Sequence, residues 1–339
     1  MIYQNIELFN VSELTAGEGG GMILHRFPLS VEKALSDQGK RMNVGATGVE
    51  LRFRMTGGRV TLRLRMEDEN AIGIAYIYQG GIIRESMDCT RFIRGDRVTE
   101  IVIDPVPDMA KIETIQASGQ FPYDPALVRV ILNNGRLRFF GVEGDCEPPR
   151  PSDTPRRTYL AYGSSITHGS TSLNAPSSFV SVTAQNLGVD ARNLGMAGSC
   201  RLESEVARHI AEMGRRGEWD FATLCMGINV LSWEPPVIEE RVRYLIGTVA
   251  GANPDKSIFC ISPLYCHSDC KNDGAAQKWR DIIQRLVAEY GSPRVHYVSG
   301  LRLLDGAWGL SGDRTHPSPL GVREIAKNLT AAMAPFVKV

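Results

Sequence analysis

From Val44 to Gly144 apolar and polar residues alternate with a period near two, and beyond Pro155 short apolar runs are separated by stretches of helical spacing. Residues 49–55 and 60–66 each alternate apolar with charged side chains, and Gly57-Gly58 between them predicts a hairpin. The rhythm continues through 72–78, 100–103 and 128–132, and Asn133-Asn134-Gly135 predicts a tight turn into 137–140. Short strands with Gly-rich turns at this spacing predict an all-β sandwich or jelly roll. Arg52, Arg54, Arg63 and Arg65 fall on the polar face of these strands, so they are expected to meet water rather than to hold an acidic sugar.

Residues 147–155, EPPRPSDTP, are stiff, polar and unable to pair in a sheet. They predict a linker over 148–157 between a β domain at 1–147 and a second domain at 158–339. In that second part the pattern predicts strands at 159–161, 190–194, 221–226, 258–262 and 295–298. Helices are expected at 178–187, 203–215, 236–249, 275–290 and 319–334. This alternation calls for a parallel sheet with helices on both faces.

The first predicted strand of this part runs into Tyr162-Gly163-Ser164-Ser165-Ile166-Thr167-His168-Gly169. Ser165 would then stand at the carboxyl edge of the sheet, where loops converge and helix N-termini offer free N–H donors. A serine needs a base to become a nucleophile, and His316 in Asp313-Arg314-Thr315-His316-Pro317 suits that task, with Asp313 able to fix its tautomer. By spacing alone Asp313 serves equally as a helix cap and His316 as a loop residue. Gly195 and Asn229 also end predicted strands, and the Gly195 N–H, the Asn229 amide and the Ser165 N–H are candidate donors to one developing oxyanion. Singly, each reads as a turn glycine or a helix cap.

Taken together in this order, Gly163-Ser164-Ser165-Ile166, Gly195, Gly227-Ile228-Asn229 and Asp313-Arg314-Thr315-His316-Pro317 resemble the four blocks of the SGNH (GDSL-type) hydrolase family. The resemblance covers about residues 157–337. It implies a three-layer α/β/α, flavodoxin-like hydrolase domain with Ser165 as nucleophile, His316 as base, Asp313 as its partner, and Ser165, Gly195 and Asn229 as oxyanion donors. Ser164 stands where the family usually has aspartate, and His168 where Glu or Gln is commoner. The Gly-Ser-Ser-Ile-Thr variant resembles two-domain carbohydrate esterases with a β-sandwich ahead of the hydrolase. The implied activity is removal of a short acyl group, acetyl above all, from a sugar or oligosaccharide. A lysophospholipase or acyl-thioesterase on longer chains is the alternative, and a non-catalytic carbohydrate-binding protein or a phosphate-binding module are the readings from other classes.

The 339 residues carry 38 basic and 38 acidic side chains, a balance that argues against binding nucleic acid through phosphate neutralisation and against a polybasic membrane anchor. The first residues show neither a basic nor an apolar leader segment, so a cytoplasmic protein is expected. Seven cysteines, an odd number, suit reduced thiols better than a disulfide framework. Cys266-His267-Ser268-Asp269-Cys270 offers thiolates and an imidazole, but no second cluster completes a zinc site, and this chemistry needs neither metal nor cofactor. His267 instead suits a loop bordering the pocket. Trp233, Trp279 and Trp308 lie in or beside predicted edge loops, where an indole can stack on a sugar. A homo-oligomer is compatible with all of this.

Overall fold

Strands dominate the chain to residue 147 and alternate with helices from 158 onward in the computed structural model, which describes residues 1–84, 88–119, 121–133 and 135–337. It divides into two compact units: Met1–Leu29, Asn43–Arg156 and Gly188–Asp190 in the first, Ser30–Met42, Arg157–Leu187 and Ala191–Val339 in the second.

The first unit holds β1 (Ile2–Tyr3), β2 (Ile6–Phe9), β3 (Glu13–Ala16), β4 (Met22–His25), β5 (Glu50–Met55), β6 (Val60–Met66) and β7 (Ile72–Gln79). They are followed by β8 (Ile82–Ile83), β9 (Thr90–Arg94), β10 (Thr99–Ile103), β11 (Leu127–Leu132), β12 (Leu137–Glu143) and β13 (Cys146–Glu147). One antiparallel sheet runs β1-β2-β5-β11-β7-β8, with β13 on β5 and β9 on β7, and the other runs β10-β6-β12-β4-β3. Leu51 and Phe53 of β5, Leu62 and Leu64 of β6, Val128 and Val130 of β11 and Phe139 of β12 pack into one core shared by both sheets, so the unit is a β-sandwich.

Two expected hairpins are not hairpins. β5 pairs with β2, β11 and β13, while β6 pairs with β10 and β12, so the chain crosses from sheet to sheet at Gly57-Gly58. β11 and β12 are likewise split between sheets, and Asn134 of the predicted tight turn lies outside the described residues. Period-two alternation fixes which side chains face the core, and an arch between sheets satisfies it as well as a hairpin does. The expected solvent face also fails in part. Arg63 keeps 43% of its side chain exposed, but Arg52 and Arg129 are buried. Arg52 donates from Nη1 and Nη2 to Asp190 at 2.6 and 2.8 Å and from Nε to Glu50 at 2.8 Å, and Arg129 donates from Nε and Nη2 to Glu50 at 2.8 and 2.7 Å. Phe9 and Tyr123 cover the two guanidiniums at 3.6 Å from ring centroid to carbon. Bidentate pairing and stacking on aromatic faces are what make an arginine tolerable without water.

From residue 158 onward β14 (Thr158–Gly163), β15 (Asp190–Gly195, of which Asp190 groups with the first unit), β16 (Phe221–Cys225), β17 (Ser257–Ile261) and β18 (Val295–Val298) form a parallel sheet in the order β15-β14-β16-β17-β18. Helices α1 (Leu29–Glu32), α2 (Asp37–Asn43) and α3 (Met109–Ser118) come earlier in the chain. This part adds α4 (Ser165–His168), α5 (Phe179–Leu187), α6 (Ser204–Arg215), α7 (Pro235–Ala252), α8 (His267–Lys271), α9 (Ala275–Tyr290), α10 (Gly300–Leu303) and α11 (Pro319–Met333). α6, α7 and α9 pack in one row and α5 packs with α11, covering the sheet as an α/β/α sandwich. Residues such as Leu160, Ala161, Ala222, Leu224, Ile258 and Phe259 are fully buried, as strands covered on both faces must be. The order changes direction at β14, whose carboxyl end is therefore flanked by the loops leaving β15 and β16.

Candidate active site

Ser165 is the first residue of α4, directly after β14. Ser164 caps the helix, its Oγ accepting the Ile166 N–H at 3.3 Å, so the aspartate-to-serine departure leaves a capping group in place. Gly169 ends the turn in the left-handed region at φ +87°. The turn sits tightly on its neighbours: a side chain at Gly195 would meet the His168 backbone nitrogen at 2.2 Å. Asn193 donates to the Thr167 carbonyl at 2.7 Å and braces α4 from below.

His316 Nε2 lies 2.7 Å from Ser165 Oγ and His316 Nδ1 lies 2.6 Å from Asp313 Oδ2. A carboxylate only accepts, so Nδ1 carries the proton and Nε2 presents its lone pair to the serine hydroxyl. Asp313 also accepts from the N–H groups of Thr315 and His316 at 2.9 Å each and from Ser311 Oγ at 2.8 Å. Burial would raise this carboxyl, yet the hydrogen bonds from His316, from the two backbone N–H groups and from Ser311 hold it well below the usual carboxylate range. Arg314, at φ +58°, gives the loop the left-handed turn that lets Asp313 reach back to its own loop.

The donors around Ser165 differ in part from expectation. The Ser165 N–H stands at the start of α4, where no carbonyl of the helix can take it. Asn229, in a 3-10 turn over Ile228–Val230 after β16, accepts the Cys200 N–H on Oδ1 at 3.1 Å, and its Nδ2 donor has no acceptor among the described residues. Gly195 is not available: its N–H is buried and donates to Asn193 Oδ1 at 2.8 Å. Three residues on, Gly198 is exposed, turns through φ +68°, and its N–H has no acceptor among the described residues. The Met196 N–H bonds the Gly163 carbonyl at 2.7 Å and so holds this loop to the end of β14, while the Cys200–Asn229 bond holds its other end. The signal for Gly198 was in the same stretch, since Ala197-Gly198-Ser199 is as turn-prone as Asn193-Leu194-Gly195, but which N–H is left over depends on where the Asn193 side chain goes.

Residues 161–323 match the sequence model of the GDSL-like Lipase/Acylhydrolase family. The second unit carries a GDSL-like domain. Solved structures similar across both units include a salicylyl-acyltransferase, SsfX3, from a tetracycline biosynthetic pathway, at 17% identity and TM-score 0.78 over 98% of this chain and 94% of that one. A family two carbohydrate esterase from Cellvibrio japonicus aligns at 14% identity and TM-score 0.66 over 98% and 95%. An acetyl xylan esterase, Est2A, from Butyrivibrio proteoclasticus aligns at 14% and TM-score 0.58 over 99% and 96%. No curated protein matches the sequence. The fold is thus that of an SGNH hydrolase, and the family supports an ester hydrolase as its activity class.

The aromatic residues divide around the GDSL-like domain. Trp308 is 53% exposed on the segment leading into the Asp313–His316 loop, with its Nε1 donating to Asp305 at 3.1 Å. Trp233 is half-buried just beyond Asn229, its ring 6.2 Å from that of Trp279. Trp279 is fully buried and donates to the Val230 carbonyl at 3.2 Å, so it fills the core and cannot meet a sugar. His267 comes to the Asp313–His316 loop, its Nδ1 lying 3.1 Å from Thr315 Oγ1. The Cys266–Cys270 segment is a short helix rather than a ligand cluster: the Cys266 N–H donates to Asp269 at 2.9 Å, and burial pushes the Cys266 thiol up to about 11. Among the described residues no group of three or more His, Cys, Asp or Glu converges as metal ligands, and none of the seven cysteines is in a disulfide. A cleft of about 870 Å³ opens elsewhere in this unit, along β18, α9 and α11, lined by His296, Arg302 and Phe336 among others.

Proposed function

We propose that the chain is a serine esterase that hydrolyses short acyl esters, acetyl above all, on a sugar or oligosaccharide through an acyl-enzyme. The observation that carries this reading is the chain of two short hydrogen bonds from Asp313 through His316 to Ser165. Ser165 Oγ attacks the ester carbonyl while His316 Nε2 takes its proton, and the imidazolium is stabilised by Asp313. The tetrahedral oxyanion is received by the Ser165 N–H, the Gly198 N–H and Asn229 Nδ2, with Gly198 taking the part expected of Gly195. Collapse expels the alcohol, which receives the proton from His316. Water then attacks the acyl-serine with His316 again as base, releasing acid and free enzyme.

The carbohydrate class rests on neighbours named as carbohydrate and acetyl xylan esterases and on the exposed Trp308 and half-buried Trp233 near the site. The neighbour named an acyltransferase supports a second reading, in which an acceptor alcohol replaces water at the acyl-enzyme. Initial rates on p-nitrophenyl esters from acetate to decanoate, with phosphonate labelling of Ser165 and product analysis in the presence of acceptor sugars, test both. Acetate-favouring hydrolysis supports the carbohydrate esterase. A long-chain optimum moves the reading to the lysophospholipase or thioesterase class, acylated acceptor to the transferase, and a folded, unlabelled protein ends the enzymatic reading.

A further inference from the structure

The loop that brings Asp313 and His316 to the serine is a surface loop, with 48% of the Asp313 side chain and 23% of the His316 side chain exposed. Its internal bonds set its shape: the Ser311 N–H to the His316 carbonyl at 2.8 Å, the Arg314 N–H to the Ser311 carbonyl at 3.0 Å, and the Asp313 fork described above. Its base is fixed where the Ser318 N–H bonds the Gly309 carbonyl and Thr171 Oγ1 bonds the Pro317 carbonyl, both at 2.8 Å. The Thr171–Pro317 bond thus ties the base of the loop to the segment that follows α4. Nearer the tip, apart from the contact with Ser165 itself, the side-chain tie among the described residues is between Thr315 Oγ1 and His267 Nδ1, 3.1 Å apart.

His267 is mounted on a rigid support. α8 is clamped by Asp269, whose oxygens take the Cys266 N–H at 2.9 Å and both Nη groups of Arg280 at 2.7 Å. Arg280 is 3% exposed and donates besides to the carbonyls of Pro263 and Leu264 at 2.9 Å each and to Gln277 Oε1 at 3.4 Å, so one buried guanidinium locks the exit of β17, α8 and α9 together. The Ala276 N–H on Ser268 Oγ at 2.9 Å adds a second tie between α8 and α9. A flexible substrate-facing histidine needs no such foundation, whereas a residue that fixes another residue's position does.

We infer that His267 is a positioning residue: through Thr315 it holds the Asp313–His316 loop at hydrogen-bonding distance from Ser165. This rests on the esterase reading for its catalytic consequence but not for its structural one. A catalytic group displaced by about 1 Å costs on the order of a hundred-fold in rate, so losing the tether lowers turnover without removing any group that reacts.

The test compares the full-length wild type with His267→Ala, Thr315→Val, their double variant and His267→Asn, which keeps an amide near the Nδ1 position. Three measurements decide it: hydrogen exchange of the segment 311–318, the rate of phosphonate labelling at Ser165, and kcat and KM on the best p-nitrophenyl ester. Each single variant is expected to speed exchange in that segment and to lower labelling and kcat by about ten- to a hundred-fold at little-changed KM. The double variant should be no worse than the worse single one, because the two residues act as one contact, and His267→Asn should recover part of the loss. Unchanged exchange, additive losses, or an effect confined to KM overturns the tether. If the wild type is not labelled at all, the esterase reading fails and the exchange comparison still decides the tether.

Discussion

In the first unit Arg52, Arg129, Glu50 and Asp190 are withdrawn from water and each is met by an opposite charge, whereas in the second Asp313 and His316 stand on a loop with half of the Asp313 side chain in solvent. Burial would raise the Asp190 carboxyl, but Arg52, Arg129 and Tyr123 hold it down to about 2, and Glu50 is lowered in the same way by Arg129 and Arg52. A search for strongly perturbed carboxylates would therefore stop at the sandwich as readily as at the GDSL-like domain. What separates them is satisfaction. In the buried cluster each charge is answered by an opposite one, while in the second unit the Asn229 Nδ2 and Gly198 N–H donors have no acceptor among the described residues. Leftover donors beside a hydrogen-bonded serine are the mark of chemistry, and complete pairing is the mark of architecture.

The sharpest way to break this contrast is to remove the serine. Ser165→Ala is expected to lower ester hydrolysis by about 10⁴-fold or more while leaving the melting temperature within about 2 °C, because only one hydroxyl is lost and its partner His316 stays bonded to Asp313. Steady-state rates and a thermal melt check it, and activity surviving in the variant would move the nucleophile elsewhere.

The reciprocal change is Arg52→Ala. It leaves Asp190 buried without its arginine and with only the Tyr123 hydroxyl at 2.9 Å, while Glu50 keeps Arg129, and is expected to cost about 3–5 kcal/mol of stability while the folded fraction keeps its kcat. Urea unfolding alongside turnover per labelled serine tests it. Loss of turnover in the folded fraction would show that the cluster does more than hold the sandwich.

Asn229→Ala sits between these extremes. Removing one donor aimed at a developing oxyanion is expected to lower kcat by about a hundred- to a thousand-fold with KM little changed. Asn229→Asp, which keeps the acceptor for Cys200 but not the amide donor, should lose as much. If it retained most of the activity, the role of Asn229 would be to hold the Cys200 loop.

How much of this was legible follows the same division. Ser165, His316 and Asp313 could be put forward as the candidate triad because Ser165 follows a predicted strand and Asp313–His316 precede a predicted helix, boundaries marked by Gly, Pro and the change of hydrophobic period. The parallel sheet was readable because runs such as Thr158–Gly163 and Phe221–Cys225 are apolar on both faces. The division of β5 from β6 and of β11 from β12 between the two sheets was not, since alternation carries no information about the partner. Nor was the burial of Arg52, whose carboxylate partner Asp190 lies 138 residues away. Gly195 was mistaken for a donor for a related reason: a backbone N–H is spent or free according to a side chain, here Asn193, that hydropathy does not describe.

The smallest expected effect tests the buried cluster by pH. The Asp190 carboxyl titrates near 2 in the folded protein and near about 3.9 when unfolded, so its ionised form contributes stability that is fully present above about pH 3.9 and is lost as pH falls toward 2. Glu50, lowered by the same arginines, adds to the loss in the same direction. Asp190→Asn keeps the shape but not the charge, so at pH 6 it should melt lower than wild type by on the order of 5 °C, and the gap should narrow as the pH is taken from 4 to 3. Asp313, whose folded carboxyl is also held low but on an exposed loop where solvent screens its partners, should show no comparable gap in an Asp313→Asn variant. A gap for Asp190 that stays constant down to pH 3 would mean that the carboxylate's charge is not what the two arginines stabilise, and that shape and hydrogen bonding alone hold that corner of the sandwich.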